Sequence, residues 1–315
     1  MRLSIAFIGA LMIGFFPVAG STSTQISSVN TLAAQIHEQE ETVERNPGKS
    51  DGVAWLKLAI LRQDVAQYRD AERAYKRAIA LLKPGDRATL ADALDHMGTM
   101  YVECGQFSKG EPLERKALAV REAEKDLLGI GLSHMHLAVL LLGEHEIPSA
   151  EAEAQSAVGL LVAERQEATA QVAATPEEKM TALIDLSLAH CARQACATAI
   201  PDLRRALGIA HANYAENSIP VGFVDFLLGY ALWKSGDNDS ADGLMRNGIQ
   251  ELETQLGWGH PTYVQVLRQY SVFLDQTGRS TESKDIAARA AKLKRSPGFA
   301  QMASNHLSIG LDRLH

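Results

Sequence analysis

The chain has 315 residues, of which 46% are hydrophobic and 6% aromatic, and its formal net charge is −7. This apolar content is typical of a globular protein with a buried core. The acidic balance argues against nucleic acid as a partner, because binding a phosphate backbone requires clustered Lys and Arg.

The first twenty residues have the pattern of an export signal. Arg2 supplies a positive charge, residues 3–16 are largely apolar, and Val18, Ala19 and Gly20 are small residues suited to signal peptidase. The apolar run is shorter than the ~20 residues of a membrane-spanning helix, although an uncleaved anchor is the alternative. The sequence therefore predicts a signal peptide at 1–20, cleavage after Gly20, and a periplasmic or extracellular protein without a membrane span after cleavage.

The next segment, residues 21–50, is predicted to be an N-terminal helical cap. One helix is expected over residues 26–45, ending near Asn46, Pro47 and Gly48. Proline cannot continue a helix, and Gly commonly follows the last helical residue.

Small residues recur at three fixed positions over residues 51–295. Six anchor residues are spaced 39, 40, 49, 42 and 42 residues apart, and small residues follow each anchor after twelve and after nineteen positions. All eighteen positions are Ala, Gly or Ser. In repeat order they are Ala59, Ala71, Ala78, Gly98, Gly110, Ala117, Ala138, Ala150, Ala157, Ser187, Ala199, Ala206, Gly229, Ala241, Gly248, Ser271, Ser283 and Ala290.

Each repeat is interpreted as two helices joined by a short turn. Helix A carries the anchor, and helix B carries the other two small residues, which share one face because they are seven apart. Only small side chains fit where two helices cross at short distance, so the eighteen residues are predicted repeat-packing positions. Gly105, Gly236 and Gly278 each stand seven residues after an anchor, where helix A must end. Thr175-Pro176 and His260-Pro261 are predicted to start new helices.

The first repeat resembles the tetratricopeptide repeat family. The matching residues are Trp55, Leu58, Ala59, Tyr68, Ala71, Tyr75, Ala78 and Pro84, and the second repeat adds Gly98, Tyr101, Gly105, Phe107 and Ala117. The later repeats, with their 42-residue spacing, resemble the kinesin-light-chain variant of the family. The resemblance implies an all-α fold, a right-handed α-solenoid of about six helix-turn-helix repeats over residues 51–295.

A solenoid of helix pairs has a concave surface, which is where such proteins bind partners. By the repeat geometry, helix A lines this surface with the residues six and three before each anchor and one and four after it. In repeat two these include the acidic Asp92 and Asp95. In repeats three to five they are apolar, and the candidate partner-binding residues are Phe223, Phe226, Tyr230, Trp233, Met135, Val139, Leu142, Ile184 and Leu188.

Two interpretations of this apolar face remain open. It is either a groove for a protein or peptide with hydrophobic anchors, or a face that the protein itself covers. A tight superhelix would cover it, and so would the C-terminal tail, residues 296–315, which has apolar side chains at roughly helical spacing. If the groove is open, replacing Phe226 and Trp233 by Ala is expected to abolish partner capture without unfolding the chain.

Motifs for catalysis are absent from the sequence, which has no Gly-rich phosphate loop, no Gly-x-Ser-x-Gly and no His-Glu-x-x-His. His134 and His136 are two apart on a predicted helix, so they face different directions and cannot jointly bind a metal on that helix. His145 is interpreted as part of a solvated loop. We therefore expect no catalytic residue, no cofactor, no metal ligand and no stoichiometric zinc.

The three cysteines are Cys104, Cys191 and Cys196. An oxidising compartment would permit a local disulfide between Cys191 and Cys196, and the alternative is three small buried residues. A metal site on His190, Cys191 and Cys196 would match none of the usual zinc spacings.

The sequence thus predicts an exported scaffold or adaptor that binds a protein or peptide and catalyses nothing. One alternative is a permanent structural subunit of a cell-envelope complex, which would keep its partner through a high-salt wash because a large apolar interface is little weakened by screening. A further alternative is a metal-dependent enzyme or metal-binding protein that uses the His and Cys residues.

Overall fold

The computed structural model describes residues 22–45, 52–82, 85–162, 173–256 and 260–295. These ranges contain thirteen α-helices and no strand, which confirms the all-α prediction. In chain order they are α1 (Thr22–Arg45), α2 (Gly52–Asp64), α3 (Tyr68–Leu81), α4 (Arg87–Glu103), α5 (Phe107–Glu124), α6 (Leu127–Gly143), α7 (Ile147–Leu161), α8 (Pro176–Ala192), α9 (Cys196–Asn213), α10 (Ile219–Ser235), α11 (Asn238–Leu256), α12 (Pro261–Gln276) and α13 (Ser280–Lys294).

The helices from α2 to α13 form six pairs, which are repeats one to six. Each A helix packs most closely on its own B helix, and each B helix then packs on the A helix of the next repeat. In addition, α4 contacts α6 and α6 contacts α8, so successive A helices also touch one another. Helix α1 packs on α2. This is the α-solenoid of six helix pairs that the sequence predicts.

The small residues lie where the two helices of a pair cross. The Ser283 hydroxyl donates to the Ser271 carbonyl at 2.8 Å, and the Ser187 hydroxyl lies 3.5 Å from the Ala199 carbonyl. A Cβ placed on Gly229 would lie 2.9 Å from the Ala241 carbonyl oxygen. Of the eighteen repeat-packing residues, all are buried except Ser283, which is half-buried. The backbones of the two helices in a pair therefore lie in close contact, which larger side chains at these positions would prevent.

Each A helix ends in the same left-handed turn. The residue seven positions after every anchor has a positive φ: Ala66, Gly105, His145, Gln194, Gly236 and Gly278. The next residue donates its N–H to the carbonyl three positions after the anchor, as in Gln106 to Tyr101 at 2.8 Å and Ala195 to His190 at 2.9 Å. This is the bond pattern of a Schellman C-cap. Glycine marked three of these turns in the sequence, whereas the other three use residues that adopt this conformation less readily.

Two predicted helix starts are confirmed. Thr175 accepts a hydrogen bond from the Glu178 N–H, the Glu178 carboxylate accepts one from the Thr175 N–H, and Pro176 lies in the first turn of α8. His260 precedes Pro261 and its ring Nδ1 accepts from the Thr262 N–H at 3.2 Å, so it caps α12. His260 is thus a structural cap.

Three segments singled out in the sequence lie outside the described residues. These are the signal peptide predicted at 1–20, the helix end predicted at residues 46–48, and the tail at 296–315, so what the sequence indicates for them stays a prediction. Helix α1 begins at Thr22, four residues before the predicted start. None of the helices within the described ranges combines the length and the apolar character needed to cross a bilayer.

Two glycines of α11 test the packing constraint. A Cβ on Gly248 would lie 2.3 Å from the Gly222 carbonyl oxygen, whereas a Cβ on Gly243 would meet nothing within 4 Å. We expect Gly248→Ala to lower the free energy of unfolding by about 1–3 kcal/mol, because α10 and α11 must separate. Gly243→Ala should raise it by about 0.5–1 kcal/mol through helix propensity. Urea unfolding measures both, and equal effects would contradict close packing at Gly248.

Candidate functional site

The nine side chains predicted to line an apolar groove are buried. Phe223 and Phe226 expose 0% of their surface, and the most exposed of the nine, Val139, exposes 8%. Seven of them belong to one hydrophobic cluster that extends from α6 to α13. The structure therefore places these residues in the core between repeats. Their role in binding a partner stays a prediction.

Contacts within α10 to α12 show how the aromatic residues are covered. The backbone and Cβ of Phe226 lie against Gly248 of α11. The Trp233 ring makes edge-to-face contacts with Tyr230, at 5.5 Å between centroids, and with Phe273 of α12, at 5.6 Å. The next repeat thus covers Trp233, and helix B of the same repeat covers part of Phe226. Replacing these two residues would remove core volume, contrary to the expectation that the chain would stay folded.

The sequence carried a signal for this burial. All fourteen residues from 220 to 233 of α10 are buried, and only Asp225 among them is charged. A helix that is apolar around its whole circumference belongs inside a protein, whereas a helix lining an open groove keeps a polar side. The positional rule for the concave surface describes one face of each A helix, and it does not include the neighbouring repeats that cover this face.

Concave positions become accessible again in the sixth repeat. The same rule of four positions places Gln265, Arg268, Val272 and Asp275 on the concave side of α12. The first three are half-buried and Asp275 is exposed. Accessible concave positions therefore lie towards both ends of the stack, since Val53 of repeat one and Asp92 of repeat two are exposed as well. Those on α12 lie next to Trp233 and are mixed in character.

A second site, which the sequence did not reveal, lies between repeats two and three. The Asp95 carboxylate of α4 contacts His136 Nδ1 of α6 at 2.7 Å and accepts from the Arg121 guanidinium at 3.1 Å. Arg121 also donates to the Ser133 hydroxyl at 2.8 Å. The Glu114 carboxylate of α5 lies 4.0 Å from His136 Nδ1 and 3.8 Å from Arg121. We call Asp95, Glu114, Arg121, Ser133 and His136 the junction cluster.

Burial and mutual charge shift the protonation of the junction cluster. Burial raises the pKa of Glu114, and repulsion from Asp95 adds to this, to about 8. Burial would lower the pKa of His136, but the attached Asp95 carboxylate raises it to about 9. Burial would likewise raise the pKa of Asp95, and the charges of His136 and Arg121 hold it below its usual range instead. Near neutral pH, Glu114 is thus a neutral acid beside an ionised Asp95.

Two carboxyl groups here have no hydrogen-bond partner. Both oxygens of Glu114 are buried without one, and so are both oxygens of Asp185 on α8. Burial raises the pKa of Asp185 well above its usual value, while the charge of His136 acts in the opposite direction. Buried polar atoms are almost always paired, so unpaired ones commonly mark a bound water, an ion or a functional group.

The histidines of α6 separate as the sequence predicts. His134 pairs with Glu153 at 2.5 Å, while His136 points into the junction cluster. His145 occupies the left-handed turn after α6. Ligand spacing within a single helix does not show that His136 meets side chains from α4 and α5, so the sequence did not predict this contact. The spacing of the small residues in the sequence gives no direct sign of such a meeting, because the meeting depends on how the repeats stack.

Cys191 and Cys196 are joined by a disulfide, and Cys104 is a free, half-buried cysteine. The bond links the end of α8 to the start of α9 across the turn of repeat four. This decides between the two alternatives that the sequence left open for these cysteines.

No sequence-family profile matches the chain, and no curated protein matches it. Several solved structures do match the chain. Apo RapI has a TM-score of 0.68 at 12% identity and covers 84% of this chain and 70% of its own. The TPR-like repeats of a putative kinesin light chain from Podosopora anserina have a TM-score of 0.51 at 14% identity, over 64% of this chain and 95% of theirs. The chain has a tetratricopeptide-repeat fold. A Rap protein complexed with competence and sporulation factor also matches, with a TM-score of 0.53 at 16% identity over 86% of this chain and 79% of its own.

The tetratricopeptide-repeat (TPR) fold confirms the resemblance seen in the sequence, including that to kinesin light chain repeats. At these identities the likeness concerns the fold alone. The junction cluster and the buried aromatic face are therefore described from this chain's own contacts and not from those of the similar structures.

Burial of the aromatic face of this TPR solenoid has a direct test. We expect Phe226→Ala to lower the free energy of unfolding by about 3–5 kcal/mol, because it leaves a cavity in the core. Leu127, which is 37% exposed, provides the control, and Leu127→Ala should cost less than about 1 kcal/mol. Denaturant unfolding monitored by circular dichroism compares the two. A small effect of Phe226→Ala would contradict the burial of Phe226 and would favour an open groove.

Proposed function

We propose that this chain is an exported TPR-like scaffold that binds a protein or peptide and has no catalytic activity of its own. The observation that carries the proposal is the solenoid of stacked helix pairs, an architecture that commonly binds partners on its concave side. One similar solved structure is a Rap protein complexed with competence and sporulation factor, which supports a binding role for this architecture. The absence of catalytic motifs from the sequence supports the lack of catalysis.

The partner surface that we propose is the concave side of α12 together with the edge of α10. Val272 offers an apolar contact, and Arg268 offers a charge beside it. At the edge of α10, the Lys234 ammonium lies 3.3 Å from the centroid of the Trp233 ring. A partner with hydrophobic anchors fits such a surface, because apolar anchors beside an aromatic residue dominate binding energies. The buried Phe223, Phe226 and Tyr230 belong to the hydrophobic cluster against which Val272 packs.

Export of the chain is part of the proposal. The N-terminal pattern of a positive charge, an apolar run and small residues supports it, and so does the disulfide between Cys191 and Cys196. Disulfides persist in oxidising compartments and are rare in the cytosol. The net charge of −7 is consistent with a protein rather than a nucleic acid as the partner.

The partner surface can be tested by affinity capture from a native extract. Arg268→Glu combined with Val272→Asp should reduce the captured partner at least about tenfold, because it removes an apolar contact and reverses a charge. Quantitative mass spectrometry of the copurified proteins measures the loss.

The control is Lys284→Glu, the same reversal of charge on an exposed residue of α13. Val272 also packs against the main hydrophobic cluster, so capture is compared at a temperature at which circular dichroism shows both variants to be folded. A partner that the double variant retains as fully as the control does would refute binding at α12.

Export predicts the state of the native protein. Its intact mass should correspond to residues 21–315, and alkylation without reduction should modify only Cys104, because Cys191 and Cys196 are bonded. A chain that keeps Met1 and carries three reactive thiols would contradict export.

A further inference from the structure

Three potential metal ligands converge in the junction cluster from three different helices. Asp95 of α4, Glu114 of α5 and His136 of α6 each offer a ligand atom, and these atoms all lie within 4.8 Å of one another. The helices belong to two repeats, so the arrangement exists only where repeat two packs on repeat three. Asp95 and Glu114 are buried, and His136 is half-buried.

The Glu114 side chain is an independent sign of a ligand. It exposes 0% of its surface, and neither of its oxygens has a hydrogen-bond partner, although one of them lies 4.0 Å from His136 Nδ1. A buried carboxyl group without a hydrogen bond loses its hydration, and here only the contacts with Arg121 at 3.8 Å and with His136 at 4.0 Å offset that loss. An ion between Glu114 and His136 would supply the missing interaction.

Three carboxyl groups meet in the cluster. Asp95, Glu114 and Asp185 are buried, and Asp185 is fully buried and unpaired like Glu114. Arg121 is the buried guanidinium that faces them, and His136 is the imidazole beside Asp95. Protons on Glu114 and His136 balance the charges when no ion is bound. A divalent ion would replace these two protons, so its binding releases them.

We propose that Asp95, Glu114 and His136 bind a divalent transition-metal ion at the junction of repeats two and three, and that Zn²⁺ fits them best. One imidazole and two carboxylates are a donor set that zinc accepts, whereas Mg²⁺ and Ca²⁺ prefer oxygen ligands alone.

The geometry requires only small movements. Ligand atoms about 2.0 Å from a tetrahedral ion are about 3.3 Å apart. The Asp95–His136 distance of 2.7 Å must therefore increase by roughly 0.6 Å, and the His136–Glu114 distance of 4.0 Å must decrease by roughly 0.7 Å. The ligand atoms of Asp95 and Glu114, which lie within 4.8 Å of each other, must also end about 3.3 Å apart.

Neighbouring groups are placed to orient the ligands. Arg121 donates to the Asp95 carboxylate at 3.1 Å and is itself held by the Ser133 hydroxyl and by the Gly129 carbonyl at 3.3 Å. Hydrogen bonds of this kind fix the direction of ligand carboxylates in metal sites. The bound ion would connect α4 and α5 to α6 and would stabilise the stack rather than catalyse a reaction.

Zinc binding is tested on the full chain, treated with chelator and carrying Cys104→Ser so that the free thiol provides no ligand. Equilibrium dialysis should find one Zn²⁺ per chain. Thermal unfolding should shift upward by roughly 5 °C when free Zn²⁺ is about a hundred times its dissociation constant. Mg²⁺ at the same concentration should leave the unfolding temperature unchanged.

Glu114→Gln and His136→Gln should each weaken Zn²⁺ binding at least about tenfold. Glu114→Gln should still fold, because its amide has the shape of the neutral acid. The matched control is His134→Gln, two residues from His136 on the same helix and of similar exposure, which should bind like the parent. If the chain binds no Zn²⁺ and Glu114→Gln is as stable as the parent, protons or water satisfy the polar groups of the junction cluster. The proposed site is then wrong. Equal weakening by His134→Gln would also overturn it.

Discussion

The close crossing of each helix pair is the constraint on which the rest of the structure depends. Carbonyl oxygens of one helix lie where a Cβ of the other would be, as at Gly222 and Gly248, so the crossing positions accept only small residues. The same requirement fixes where helix A ends, because the chain must reverse within a few residues to bring helix B back. The left-handed residue seven positions after every anchor makes that reversal, even where it is Ala66, His145 or Gln194.

Close packing within pairs also brings successive repeats together, with two consequences for function. First, the apolar face of the central A helices is used to build the core, and accessible concave positions are left towards the two ends of the stack, at α2 and α4 and at α12. Second, charged residues of α4, α5 and α6 are enclosed with each other. Burial makes their protonation and their hydrogen bonds interdependent, so Glu114 is a neutral acid beside an ionised Asp95.

The proposed partner surface and the proposed ion site occupy different parts of the same solenoid. A TPR fold is compatible with many partners, and in the proposed function the specificity lies in a few accessible side chains such as Arg268 and Val272. The junction cluster lies far earlier in the chain, in repeats two and three, where a bound ion would hold those repeats together. A bound ion there and a bound partner at α12 would be separate properties, which can be measured independently.

The sequence by itself determined the fold class, the six repeats, the crossing positions and the helix starts at Pro176 and Pro261. Each of these depends on residues close in the chain, where small size, turn formation and capping act locally. What covers Phe223 to Trp233, and the meeting of Asp95, Glu114 and His136, were decided only by the tertiary structure. Both arise from how one repeat rotates against the next, and residues about twenty to forty positions apart meet there without any local pattern that records it.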